Sequence, residues 1–173
     1  MDNANTPPPE QPLVSLAGLP RRLGAIIYDG LLLAGVLFGA TALALVVAVA
    51  IIGGEGFKAH NPLTGNPFFS TYLLLVCFFF YGGFWIHGGQ TLGMRAWRLR
   101  LQRRDGQGID WRQALLRFLI GGLWLAPTAY LHRVLEIGIG LSLAGGLGCL
   151  LLLLALRLPD WFSDTELVVL SKS

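Results

Sequence analysis

The feature that most restricts how this chain can fold is a long apolar stretch, residues 23–52, carrying a single acid, Asp29, near its start. A run of about 18 or more apolar residues reads as a membrane-spanning helix, because ~20 residues cross the hydrocarbon. At ~1.5 Å per residue this stretch makes a helix of about 45 Å, longer than the ~30 Å core. Either the helix tilts or its first two turns lie at the interface. It is not a cleavable signal: signal cores are ~7–15 residues long, and no small-residue cleavage site follows. Arg21 and Arg22 resemble a twin-arginine leader only superficially, since Asp29 interrupts the apolar run.

Composition agrees with a membrane protein. Hydrophobic residues make up 54% of the chain and charged residues 13%, against about 45–50% and about 25% in soluble domains. Three further apolar segments, 68–86, 113–131 and 134–156, complete the expected architecture. It is an all-α membrane protein, a four-transmembrane-helix bundle over residues 21–170. Residues 1–20 contain "NANTPPPEQP", polar and proline-rich with nothing to bury, and are expected to be a disordered tail. The third span is interrupted by Arg117 and ends after Pro127, with His132 and Arg133 in a tight turn before the fourth.

Charge gives the orientation. Arg21, Arg22, the arginines at 95, 98, 100, 103, 104 and 112, Arg157 and Lys172 fall on one side of a four-span topology, and Lys58 and Arg133 on the other. Under the positive-inside rule this places both termini and the central loop in the cytoplasm. The formal charge of +3 rests on arginines beside apolar segments. Orientation and contact with anionic lipid headgroups explain it better than nucleic acid does.

The central loop has internal pattern. Trp97, Leu99 and Leu101 alternate with Arg98, Arg100 and Gln102, the period of a half-buried strand, and Asp105-Gly106 is a hairpin-turn signal. Asp110 followed by Gln113 matches a capping box opening the third helix. "TELVVL" near the end of the chain is a second strand-like run that can pair with this hairpin, giving a small cytoplasmic sheet between helices 2 and 3. The alternative is an amphipathic segment lying on the lipid surface.

Asp29 needs a partner or water, because an unpaired acid at the bilayer centre costs at least ~2.5–3.5 kcal/mol on insertion scales. Residues seven apart on a helix lie about 20° from one another, so Arg22 shares a face with Asp29, though the rise between them is roughly 10 Å. Arg117, one turn into the third span, either snorkels to the interface or reaches Asp29. Arg22, Asp29, Arg117 and Asp160 therefore form a candidate charge cluster at the cytoplasmic mouth of one bundle. Its acid either locks helices together or binds a proton or cation. His60, His87, His132 and Glu136 read as isolated or solvated groups, and Cys77 and Cys149 as packing residues. The glycines Gly140, Gly145, Gly146 and Gly148 permit close helix approach.

Taken together these residues resemble the RDD family of bacterial membrane proteins, named for one arginine and two aspartates. "RRLGAIIYD" is similar to its opening signature, with the arginine on Arg22 (Arg21 as alternative) and the first aspartate on Asp29. "GGQTLGMRAWRLRL" is similar to its loop signature: Gly89, Gln90, Thr91, Leu92, Gly93 and Arg95 match, and Met94 stands at the usual lysine. "ALLRFL" carries the family-like Arg117. "DWFSDTELVV" is similar to the closing pattern, with the second aspartate on Asp160 and the threonine on Thr165. Pro159 stands where His is usual and Asp164 where Gly is usual. The resemblance implies transport, for which sodium or other monovalent cation exchange against protons has been suggested.

No nucleophile–base pair, zinc motif or phosphate loop is present, so neither catalysis nor a cofactor or metal is expected. The reading favoured by the charge distribution is a non-catalytic scaffold or accessory subunit. Its partners are the bilayer, anionic headgroups along the arginine-rich loop, and a second copy or another membrane or cytoplasmic protein. The alternative is a monovalent cation/proton transporter, or transporter subunit, using Asp29.

Overall fold

In a computed structural model, residues 15–59 and 61–170 are described. Helix α1 (Leu19–Ala59) is followed by α2 (Pro67–Gly88) and a short α3 (Leu92–Ala96). After an intervening strand come α4 (Trp111–Gly122), α5 (Leu125–Arg133), α6 (Ile139–Ala155) and a one-turn α7 (Leu158–Phe162). Three strands, β1 (Ser15–Leu16), β2 (Leu99–Arg103) and β3 (Thr165–Val169), form an antiparallel sheet in the order β1-β3-β2.

Among the described residues, three helical stretches are long and apolar enough to cross a membrane: Leu19–Phe57, Pro67–Gly88 and Trp111–Arg133. The fourth expected span is shorter than its apolar sequence. Residues 134–138 leave the helix, with Glu136 in the left-handed region (φ 54°), and α6 keeps 17 residues. At ~1.5 Å per residue that is about 25 Å, less than the ~30 Å core. β1 and β3 are paired, so the start of α1 and the segment after α6 lie at the same end of the molecule.

Each helix boundary has a local cause. In α1 the helical geometry breaks at Gly53 (φ 75°, ψ 160°), where the apolar run ends. α2 starts with Pro67 behind Asn66, whose side chain accepts from the Phe68 amide. The predicted capping box is present at α4: Gln113 N donates to Asp110 Oδ1 at 2.8 Å, and Asp110 N donates to Gln113 Oε1 at 3.1 Å. Pro127 accounts for the break between α4 and α5. Its ring would clash with the carbonyl of Leu123 in a continuous helix, and the interruption falls at Leu123-Trp124.

Two glycines let helices close on one another. At Gly146 a Cβ would collide with Thr128 Oγ1, and at Gly145 it would lie 2.6 Å from Leu131 Cδ1, so α6 packs tightly on α5. Gly140 and Gly148, assigned the same role from spacing, have open space instead. Between α2 and α4 the contact is aromatic, with Phe78 5.8 Å from Trp111 and 5.4 Å from Phe118.

The small β element is present, with two differences from its sequence reading. The turn closes around Gly106 (φ 81°), with Arg103 and Gln107 hydrogen-bonded. The main partner of β2, however, is β3, in the register Leu99↔Val169 to Arg103↔Thr165. Leu99 and Leu101 point into the core, and the chain after the turn buries Ile109 instead of extending the ladder. The second difference is β1. The tail expected over 1–20 is corrected at its end, since residues 15–20 form β1 and the start of α1; residues 1–14 lie outside the described residues. Ala17 is buried and donates its amide to Leu167, which docks this segment on the sheet.

The core sits where helix ends meet the sheet. Ala17, Ala25, Trp85, Met94, Leu99, Leu101, Ile109, Ala114 and Leu167 form one buried cluster. Most large apolar residues farther along the helices are exposed, among them Phe38, Ile51, Phe68 and Leu141. This is the distribution expected when lipid covers the helices and protein covers protein only at the charged end.

Candidate functional site

Arg22, Ala25 and Asp29 are all buried, at spacings of three and four residues, so the inward face of α1 at its start is the one inferred from the 22/29 alignment. Arg21 is exposed, which leaves Arg22 as the inward arginine. The two inward charges of α1 do not meet each other. Each is taken by a different element.

Asp29 holds the start of α3. Its Oδ2 accepts from Thr91 Oγ1 at 2.5 Å and its Oδ1 from the Gly93 amide at 2.9 Å. Thr91 is also the N-cap of α3, accepting from Met94 N at 3.1 Å, so one hydroxyl both caps the helix and donates to the acid. A carboxylate near the first amides of a helix is favourable because those N–H groups lack intrahelical partners. Gly93 is required for the approach. A Cβ there would collide with the Ala25 carbonyl oxygen and lie 2.8 Å from the Asp29 carboxylate. The expectation that Asp29 is compensated by Arg22 or Arg117 is therefore corrected. Among the described residues no ion pair joins it to either, and its partners are neutral hydrogen-bond donors.

Asp160 takes both arginines. Arg22 Nη2 lies 2.5 Å from Asp160 Oδ2, and Arg117 Nη1 lies 2.5 Å from Oδ1. The Arg22 contact is a close, buried ion pair. All three residues are less than 10% exposed. Two buried cations on one anion leave an excess positive charge, and the surroundings supply electron density for it. Arg22 Nε donates to Ala17 O at 3.1 Å. Arg117 Nη1 donates to Thr165 Oγ1 at 3.0 Å and its guanidinium lies 5.8 Å from the Trp85 ring centroid. This clasp joins α1, α4, α7, β3 and the strap before α1.

The closing turn positions Asp160. Pro159 sits at the start of α7, and Ser163 Oγ donates to the Pro159 carbonyl at 2.5 Å and lies 2.7 Å from Thr165 Oγ1. Asp164 has φ 52°, a left-handed conformation that glycine adopts without strain. The turn expected with glycine at this position forms with aspartate in it, and Asp164 pairs with Arg104 at 3.2 Å.

The loop motif is now accounted for almost residue by residue. Gly89 (φ 65°) caps α2, returning its amide to Trp85 O, and its own carbonyl accepts from Leu101 N at 2.7 Å. Gln90 Nε2 donates to Leu99 O at 2.7 Å. Thr91 and Gly93 hold Asp29, Met94 is buried in the core, and Leu92 is exposed on the outer side of α3. Arg95 is exposed and makes no ion pair among the described residues. The spacing of residues did not reveal Trp85, Ala17 and Ser163 as supports of the arginine clasp. Only the threonine-glycine pair carried a signal, since Thr91 reads as a helix cap once α3 is recognised.

The other groups stand apart. His132 Nδ1 lies 3.2 Å from Ile137 O, Glu136 is exposed, and both cysteines are free thiols. His60 lies outside the described residues. Among the described residues no three His, Cys, Asp or Glu side chains gather as a metal-binding group.

A model of the RDD family matches residues 16–163, which include Arg22, Asp29, the loop motif, Arg117 and Asp160. The chain belongs to the RDD family, as a membrane-type protein with apolar helices. No curated protein and no solved structure matches it.

Proposed function

We propose that this RDD-family chain is a non-catalytic, multi-pass inner-membrane scaffold or accessory subunit. Both termini and the sheet lie in the cytoplasm, and α6 makes the fourth crossing. The observation that carries this reading is the occupancy of the two buried carboxylates. Each of their four oxygens is already held by a protein donor: Thr91 and Gly93 on Asp29, Arg22 and Arg117 on Asp160. A cation or proton taken up by either carboxylate would have to compete with the donors already on its oxygens. Here displacement would loosen the start of α3 from Asp29 or leave two guanidinium groups buried without their anion. Both clasps fit a role in fixing the sheet to the helices.

The fixed surface is arginine-rich. Arg98, Arg100 and Arg112 are exposed beside β2 and α4 and are in no ion pair among the described residues. Such a face suits anionic headgroups or an acidic protein surface. The test is cation-driven proton movement in proteoliposomes containing the full chain. No movement with Na⁺, K⁺ or Li⁺ is expected. Exchange by the wild type that Asp29→Asn abolishes, with the protein still folded, would replace this reading with a transporter using Asp29.

A further inference from the structure

Arg95 is the charged residue of the loop motif, neither carboxylate site uses it, and it borders a cavity of ≈ 440 Å³. The cavity runs along α2, past Phe79, Phe80, Gly83 and Phe84, to His87 and Gly88, with Gln90 and Arg95 at its rim. Phe79, Gly83 and His87 are four residues apart and form one row on the helix. Gly83 makes a notch in that row: a Cβ added there meets nothing within 4 Å. The notch lies on an apolar stretch long enough to cross a membrane, and its polar rim is at the end that carries the sheet.

The rim is cationic and has unused donors. Arginine carries five N–H donors in a planar fork that suits phosphate. Arg95 reaches back over the end of α2, with Nη2 4.0 Å from the position of a Cβ on Gly88. The Gln90 amide nitrogen is committed to Leu99 O, which leaves its oxygen as an acceptor, and His87 Nδ1 is committed to Gly83 O at 2.9 Å. No carboxylate lines the cavity. An aromatic trough ending in a free guanidinium matches a molecule with a hydrocarbon chain at one end and an anionic phosphate at the other.

We propose that this groove binds one anionic phospholipid, with an acyl chain over Gly83 between the phenylalanines and the phosphodiester on Arg95. The site is independent of whether Asp29 moves ions, and separate from the arginine surface of the sheet.

The test is native mass spectrometry of the full chain taken from bilayers of equal parts phosphatidylglycerol and phosphatidylcholine. One basic side chain at a headgroup is worth roughly a fivefold preference, so phosphatidylglycerol should be retained over phosphatidylcholine by about that factor. Arg95→Gln should abolish the preference, whereas Arg104→Gln, in the turn after β2, should leave it intact. Gly83→Leu fills the notch and should lower retention of phosphatidylglycerol severalfold with Arg95 still present. Excess inorganic phosphate should not displace the lipid. The proposal is overturned if wild type shows no preference, if Arg95→Gln keeps it, or if Arg104→Gln loses it equally. Unchanged retention in Gly83→Leu, or displacement by phosphate alone, overturns it as well.

Discussion

Asp29 and Asp160 are both buried, both contact α1 or its neighbours, and both belong to the same charged end of the bundle, yet they are compensated in different ways. Asp29 is held by a hydroxyl and a backbone amide, with its charge spread over neutral dipoles. Asp160 is held by two guanidinium groups, in a site whose formal charge is positive. The first arrangement depends on shape, because a backbone amide must come within 2.9 Å of the acid. The second depends on charge, because either arginine buried without Asp160 would lack its counter-ion. Substitutions that keep shape but remove charge should therefore separate the two sites.

The largest effect is expected for Asp160→Asn. It keeps the side chain's size and strips the counter-ion from Arg22 and Arg117 together. Breaking a buried ion pair from one side costs about 3–5 kcal/mol, which thermal unfolding in detergent should register as a large drop or a failure to accumulate folded protein. A loss no greater than that of a surface substitution would remove charge as the basis of this clasp.

Gly93→Ala tests the shape-dependent site. The added methyl has no room between the Ala25 carbonyl and Asp29, so α3 must move away from α1. Overpacking of this kind costs about 1–3 kcal/mol. Unfolding should show that loss, and amide exchange at Gly93 and Met94 should speed up. Unchanged exchange would mean that α3 tolerates displacement and that the cap contributes little.

Asp29→Asn should cost less still, on the order of 1 kcal/mol. The amide oxygen can still accept from Gly93, and the Thr91 hydroxyl can turn from donor to acceptor because it has two lone pairs. The comparison breaks if Asp29→Asn destabilises as much as Asp160→Asn in the same unfolding experiment. The smallest effect is expected at Asp164→Gly. Relief of the left-handed conformation gains about 1–2 kcal/mol. Loss of the exposed pair with Arg104 and the greater freedom of an unfolded glycine offset most of it. A midpoint within a few degrees of wild type, shifted upward if at all, is the expected reading.

Much of the architecture was legible along the chain. Residues 23–52, 68–86 and 113–131 each contain an apolar run that had to become a lipid-facing helix, and each did so with boundaries set by Gly53, Pro67 and the Asp110/Gln113 box. The fourth run was less legible, because residues 134–138, mostly apolar apart from Glu136, are compatible with a helix and only the turn geometry at Glu136 takes them out of it. The face shared by Arg22 and Asp29 was also readable, since helical periodicity depends on position alone.

Periodicity specified that Arg22 and Asp29 both point inward, and composition specified that the charged end collects the arginines. Neither could specify the partners. Thr91 lies 62 residues from Asp29 along the chain, and Asp160 lies 43 from Arg117. Contacts at that separation exist only after the helix ends have met the sheet. The sequence by itself therefore determined apolar, membrane-type helices with Arg22 and Asp29 on one inward face and Asp160 at the same charged end. Tertiary structure decided which aspartate is neutralised by charge and which by a helix cap. The physical reason is steric: Gly93 admits a backbone amide to Asp29, while the turn at Pro159 delivers Asp160 to both arginines.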